Sequence, residues 1–65
     1  MKDTGTIAGM IWRALQAEPG QSLTKLMKAT GAKRDDVAAA IGWLQREEKL
    51  TVESDSRGNL LFSLK

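Results

Sequence analysis

The beginning of the chain carries apolar residues at the spacing of an α-helix. Positions i, i+4, i+7 and i+8 share one helical face, and here they are Ile7, Ile11, Ala14 and Leu15. We therefore predict helix 1 from Thr4 or Thr6 to Ala17, with either threonine as its N-cap. Pro19 ends the helix, because proline cannot continue one and disfavours helical geometry in the residue before it.

Two further helices follow at the same period. Ser22 is a good N-cap for helix 2, which we expect to run for about two turns and to end at Gly31, a residue suited to the left-handed conformation after a helix. Helix 3 begins after Lys33 and runs to about Lys49, a cation that suits the C-terminal end of a helix dipole. The predicted core faces of the two helices are Leu23, Leu26, Met27 and Thr30, then Val37, Ala40, Ile41 and Leu44.

After helix 3 the period changes to two. Leu50 and Val52 alternate with polar residues in a first run. In a second run, Leu60, Phe62 and Leu64 alternate with Leu61, Ser63 and Lys65. Residues 54–59 between the runs are turn formers, so we predict an antiparallel hairpin with an exposed tip, whose apolar residues close the core.

The order of these elements resembles the winged helix-turn-helix superfamily. Helices 2 and 3, joined by the short glycine-containing turn 31–33, match a helix-turn-helix, and a hairpin directly after them matches the wing. The segment 40–50 (AIGWLQREEKL), together with Trp12 in helix 1, is similar to a family of small stand-alone bacterial winged-helix proteins of uncharacterised function. The resemblance implies one α+β domain over residues 1–65, allows a short extra strand near Gln21 and Ser22, and implies DNA binding, with a transcriptional regulator as the class of protein.

The composition leaves little room for catalysis. The 65 residues include no cysteine and no histidine, which excludes disulfides, a zinc finger and a histidine-activated serine. Adjacent acidic pairs, at 35–36 and 47–48, point about 100° apart on a helix and cannot converge as an acid and a base. We therefore expect a binding protein without catalytic residues, metal or cofactor. The longest uncharged apolar stretch, 37–44, is too short to span a membrane, so we also expect a cytoplasmic location.

The positive charge is concentrated in the helix-turn-helix. The chain has ten basic and eight acidic residues, a net charge of +2, and residues 22–49 hold six of the bases and four of the acids. We predict DNA contacts from basic side chains of both helices and their turn, and from the tip of the wing: Lys25, Lys28, Lys33, Arg34, Arg46, Lys49, Arg57 and Asn59. Most of these contacts would be to phosphates, so we expect weak, salt-sensitive binding to double-stranded DNA.

The face of helix 3 that is turned away from the core carries few groups that can read bases. Base reading in the major groove uses Arg, Lys, Asn or Gln, whereas the first turns of this face hold one acid, two alanines and Gly42. Only Arg46 and Lys49, near the C-terminal end, offer suitable donors on this face. Sequence-specific readout is therefore weakly supported.

A second hypothesis assigns the same face to a protein partner or to a second copy of the chain. The residues of this interface are Ala38, Ala39, Gly42 and Trp43. A glycine inside a helix costs about 1 kcal/mol relative to alanine, which favours the close approach of another molecule at Gly42. A structural interpretation competes with this one, in which Gly42 gives clearance within the fold and both Trp43 and Trp12 pack in the core or at its edge.

Overall fold

The computed structural model describes residues 3–65. They form three helices, α1 (Thr4–Ala17), α2 (Leu23–Thr30) and α3 (Arg34–Arg46), followed by the strands β1 (Leu50–Ser54) and β2 (Leu60–Leu64). The strands pair antiparallel, from Leu50 opposite Leu64 to Ser54 opposite Leu60, as a two-stranded hairpin. The predicted winged helix-turn-helix arrangement is therefore confirmed, with the hairpin as the wing.

The core lies between the helices and is closed by the wing. Its buried apolar residues are Ile7, Ala8, Ile11, Leu15, Leu26, Val37, Ala40, Ile41, Leu44, Leu50 and Phe62. The prediction for Leu60 is wrong, because this side chain is 52% exposed at the first position of β2, next to the tip of the hairpin. Ala8, which lies outside the predicted stripe of α1, is buried.

A carboxylate, rather than a threonine hydroxyl, caps α1. Asp3 is the N-cap residue, and its Oδ1 accepts the backbone N–H of Thr6 at 2.7 Å. Thr4 is already the first helical residue, so the predicted threonine caps are wrong. An ionised oxygen is the stronger acceptor, and its charge also suits the positive end of the helix dipole. The hydrogen bond from Thr6 holds the pKa of Asp3 below its ordinary value of 3.8.

The end of α3 comes three residues before the predicted one. The helix stops at Arg46, because Glu48 adopts a left-handed conformation with φ of 57°. The backbone N–H of Glu48 donates to Gln45 O at 3.0 Å, and that of Lys49 donates to Leu44 O at 2.9 Å. This pair of bonds forms a Schellman motif, which satisfies the last carbonyls of the helix and turns the chain into β1. Lys49 consequently lies outside α3.

Gln21 joins the helices to the wing. Its backbone forms a single bridge with Phe62, in which Phe62 N donates to Gln21 O at 2.8 Å, so the extra strand near Gln21 and Ser22 is one residue long. The side chain of Gln21 is buried, and its Nε2 donates to Ala14 O and to Glu18 O, each at 2.8 Å. These bonds satisfy carbonyls at the C-terminal end of α1, which explains why an amide is tolerated inside so small a core.

Neither tryptophan belongs to the core, and both are exposed. Trp12 is 40% exposed and Trp43 is 42% exposed. They line a groove of about 430 Å³ between α1 and the C-terminal end of α3, which we call the tryptophan groove; its residues are Gly5, Ala8, Gly9, Trp12, Arg13, Trp43, Leu44 and Lys49. The interpretation of Gly42 as a clearance residue is wrong, because a Cβ at this position would meet no atom within 4 Å.

Candidate nucleic-acid interface

The turn between α2 and α3 is fixed by local hydrogen bonds. Ser22 caps α2 by accepting the N–H of Lys25 at 3.3 Å, and Gly31 ends it with φ of 69°. The hydroxyl of Thr30 donates to Leu26 O at 2.8 Å and accepts the N–H of Ala32 at 3.2 Å. These bonds leave little freedom in the turn, so α2 presents α3 at a set angle.

The buried and exposed faces of α3 are those that its periodicity predicts. Val37, Ala40, Ile41 and Leu44 are buried, while Ala38, Ala39, Gly42 and Trp43 are exposed. The N-cap residue of α3 is Lys33, which makes no side-chain capping bond, and Asp35 and Asp36 occupy the first turn of the helix. Apart from Trp43, these exposed side chains are small, and both basic and acidic side chains lie at the start of the helix.

The basic residues around the start of α3 are exposed and mostly unpaired. Lys28, Lys33 and Arg34 lie on the last turn of α2, at the N-cap of α3 and at its first position. Within residues 3–65, the sole ion pair joins Lys25 Nζ to Glu18 Oε1 at 3.2 Å. Both of its side chains are exposed, where such a pair contributes about 1 kcal/mol or less. A phosphate can therefore compete for Lys25 at small cost.

The tip of the wing is organised by one carboxylate that the sequence analysis did not single out. Asp55 Oδ1 accepts the backbone N–H groups of Arg57 and Asn59, each at 2.9 Å, and Oδ2 accepts the side-chain amide of Asn59 at 3.3 Å. These bonds, led by the one from the Asn59 backbone, hold the pKa of Asp55 below its ordinary value of 3.8. An aspartate that opens a turn ending in Gly58 and Asn59 is the sequence signal for such a cap.

The predicted DNA-contact residues divide between different parts of the surface. Lys25, Arg34 and Asn59 line a groove of about 700 Å³ between α2 and the wing, which we call the α2–wing groove. Arg57 is exposed at the wing tip, and Arg46 is exposed in the last turn of α3. Lys49 lies apart from these residues, in the tryptophan groove.

Neither a metal-binding cluster nor a membrane-spanning helix is found within the part of the chain that the structure describes. Residues 3–65 contain no group of three or more Asp and Glu side chains arranged to hold a metal ion. None of the helices in this range has the length and hydropathy of a membrane-spanning segment. Every buried side-chain nitrogen and oxygen in the same range has a hydrogen-bond partner.

A sequence profile of the DUF2582 family, described as a winged helix-turn-helix domain, matches residues 1–64. Among solved structures, the NMR structure of protein BT2368 from Bacteroides thetaiotaomicron superimposes with a TM-score of 0.84 at 31% identity, over 94% of this chain and 73% of that one. No curated protein matches the chain.

Two larger regulators contain the same fold. BpsR from Bordetella bronchiseptica, whose DNA binding is regulated by 6-hydroxynicotinic acid, matches with a TM-score of 0.83 and 27% identity over 91% of this chain. A MarR-family transcriptional regulator from Silicibacter pomeroyi matches with a TM-score of 0.83 and 20% identity over 95% of this chain. The chain spans less than half of either regulator, 43% and 44% respectively.

Proposed function

We propose, for a chain that belongs to the DUF2582 family of winged helix-turn-helix domains, that it binds double-stranded DNA as a regulatory module. In this proposal α3 lies against the major groove and the wing follows the adjacent backbone or minor groove. The observation that carries the proposal is the cluster of exposed cations without carboxylate partners, Lys28, Lys33 and Arg34, where α2 meets α3. The similarity to BpsR, which binds DNA, supports it.

The contacts are expected to be mainly to phosphates. Lys28, Lys33, Arg34 and Arg57 are exposed and free of ion pairs within residues 3–65, so they provide the principal contacts. Lys25 and Asn59 are secondary, because Lys25 must leave Glu18 and the Asn59 amide must leave Asp55. Arg46 and Lys49 are secondary because of their positions, in the last turn of α3 and in the tryptophan groove. Four phosphate contacts predict a slope of about −3 to −4 for the logarithm of the binding constant against the logarithm of the salt concentration.

Base reading contributes less than phosphate binding in this proposal. The exposed face of α3 offers Ala38 and Ala39, which can contact thymine methyl groups, and Gly42, which allows close approach. The carboxylates of Asp35 and Asp36 would repel a phosphate near the start of the helix. We therefore expect modest affinity and discrimination that depends on DNA shape.

Anisotropy titrations of a labelled duplex, between about 50 and 200 mM salt, test the proposal. The variant Lys33→Ala/Arg34→Ala should bind more weakly and lower the salt slope by about two. Arg13→Ala removes an exposed cation from the tryptophan groove, outside the proposed DNA contacts, and is the control, with unchanged affinity and slope. Equal binding by both variants, or no binding by the wild type at low salt, would rule out this interface.

One observation favours a second function for the exposed face of α3. Because a Cβ at Gly42 would meet nothing, the fold's own packing does not require this glycine. The close approach of a partner chain to Ala38, Ala39, Gly42 and Trp43 would explain this glycine as well as the close approach of DNA does. Sedimentation of the wild type and of Gly42→Leu separates the two functions: self-association that the variant loses supports a protein interface, whereas monomers in both, with duplex binding lost in the variant, support DNA.

A further inference from the structure

The tryptophan groove concentrates exposed apolar surface in one place. Within residues 3–65, three large apolar side chains are exposed, and two of them, Trp12 and Trp43, line this groove. Tryptophan is enriched among the residues that dominate the energy of protein interfaces, because its large rigid surface is immobilised at low entropic cost. Each indole is about two-fifths exposed, so a partner that covers both would gain the free energy of burying this apolar surface.

The two charged residues that line the groove are both basic, while the carboxylate of Asp3 lies beside Gly5 at one end, with Oδ1 3.6 Å from the position that a Cβ on Gly5 would take. Arg13 lies on the α1 side and Lys49 lies where the chain leaves α3, and no carboxylate is among the lining residues. Neither cation has an ion-pair partner within residues 3–65. The groove thus combines an apolar floor with two unpaired cations, which fits an occupant that carries apolar anchors next to acidic side chains.

The dimensions of the groove fit a helix. Its α1 side runs from Gly5 to Arg13, a rise of about 12 Å, which matches two turns of a docked helix. A Cβ at Gly9 would meet no atom within 4 Å, so the backbone of an occupant can approach α1 closely there. Amphipathic helices bind such grooves through apolar anchors at i, i+3 or i+4, and i+7.

We propose that the tryptophan groove binds an acidic amphipathic helix of a partner protein, with its apolar anchors between Trp12 and Trp43 and its carboxylates on Arg13 and Lys49. The groove shares no lining residue with the α2–wing groove. It does contain Trp43 of the exposed α3 face and the predicted DNA contact Lys49, so the partner and DNA would be held on adjoining surfaces.

A displayed library of randomised helix-forming peptides tests the proposal. Peptides are selected against the wild-type protein, and those that also bind Gly9→Leu are removed. A Cβ at position 9 would meet no atom within 4 Å, so the leucine can extend from α1 into the groove, and we expect the variant to keep its fold and its affinity for duplex DNA. We expect the enriched peptides to carry excess Asp and Glu with apolar residues at i, i+3 or i+4, and i+7.

Synthetic versions of these peptides give the quantitative readout. They should change the intrinsic fluorescence, since the two tryptophans of the chain both line the groove. Binding should weaken about tenfold in Gly9→Leu, by about threefold or more in Arg13→Glu, and by less than about twofold in Gly42→Leu, the matched glycine outside the groove.

Four results would overturn the proposal. The first is the absence of peptides that distinguish the wild type from Gly9→Leu, and the second is enrichment of basic or uncharged sequences. The third is a concentration-dependent dimer that Gly9→Leu abolishes, which would assign the groove to a second copy of the chain. The fourth is quenching of the indole fluorescence by a single-stranded oligonucleotide in the wild type and not in Gly9→Leu, which would assign it to nucleic acid.

Discussion

The α2–wing groove and the tryptophan groove differ in what holds their side chains in place. The first is formed by a capped helix start and a wing tip whose carboxylate, Asp55, accepts three hydrogen bonds. The second is formed by packing alone, with Leu44 buried beneath two half-exposed indoles. The polar surface should therefore respond to pH and salt, whereas the apolar one should respond to changes in volume.

The largest effect should come from removing a buried side chain beneath the tryptophan groove. Leu44→Ala should lower the free energy of unfolding by about 2–5 kcal/mol, because it leaves a cavity in the core that supports both grooves. Leu60→Ala, in the α2–wing groove, removes the same atoms from a 52% exposed position and should cost less than about 1 kcal/mol. Urea unfolding of both variants measures the difference, and equal losses would contradict the burial described here.

A smaller effect should follow from uncoupling α1 from the wing. Gln21→Ala leaves Glu18 O without its amide donor and removes one of two donors to Ala14 O, which keeps the backbone N–H of Glu18, so the cost should be about 1–2 kcal/mol. The backbone bridge to Phe62 survives in this variant, so the hairpin should keep its cross-strand nuclear Overhauser effects. Thermal unfolding measures the loss, and a variant as stable as the wild type would show that the buried amide has no structural role.

A substitution at the end of α3, next to the tryptophan groove, should stabilise the protein. Glu48→Gly should raise the free energy of unfolding by up to about 1 kcal/mol, because glycine adopts the left-handed conformation without steric cost. Glu47→Gly is the control, since Glu47 has φ of −84° and gains nothing from glycine. If both variants lost stability equally, the assigned Schellman motif would be wrong.

The smallest effect should come from lowering the pH, and it should be confined to the wing tip and the start of α1. The folded-state pKa of Asp55 is lowered by bonds from Asn59 and Arg57, so the stability it contributes is present above pH 3.8 and is lost as the pH falls through the folded value. The pKa of Asp3 is lowered in the same direction. Amide chemical shifts followed from pH 5 downward should move at the wing tip and at the start of α1 while the indole signals stay constant. Early movement of the indole signals would contradict this separation.

Much of the fold could be predicted from hydrophobic periodicity, because each apolar face of a helix or strand has to be buried in a core. The ends of the elements follow less well. Glu48 occupies a conformation that is normally favourable for glycine, so nothing at that position signals a helix end. Asp3 and the nearby threonines compete for one cap within a narrow energy range.

The candidate sites could be predicted only where their residues are neighbours in the sequence. The basic cluster at Lys33 and Arg34 is visible as local charge. The tryptophan groove is not, because it depends on the packing of α1 against α3 and brings together residues as distant as Gly5 and Lys49. A buried glutamine such as Gln21 gives no sequence signal that distinguishes it from a surface one.

DNA binding at the junction of α2, α3 and the wing can be tested by a chemical-shift titration of the labelled protein with a duplex at low salt. We expect changes at residues 25–34 and 55–59 and on the exposed face of α3, with the indole signal of Trp12 unchanged. Changes confined to the tryptophan groove, or no changes at low salt, would contradict it.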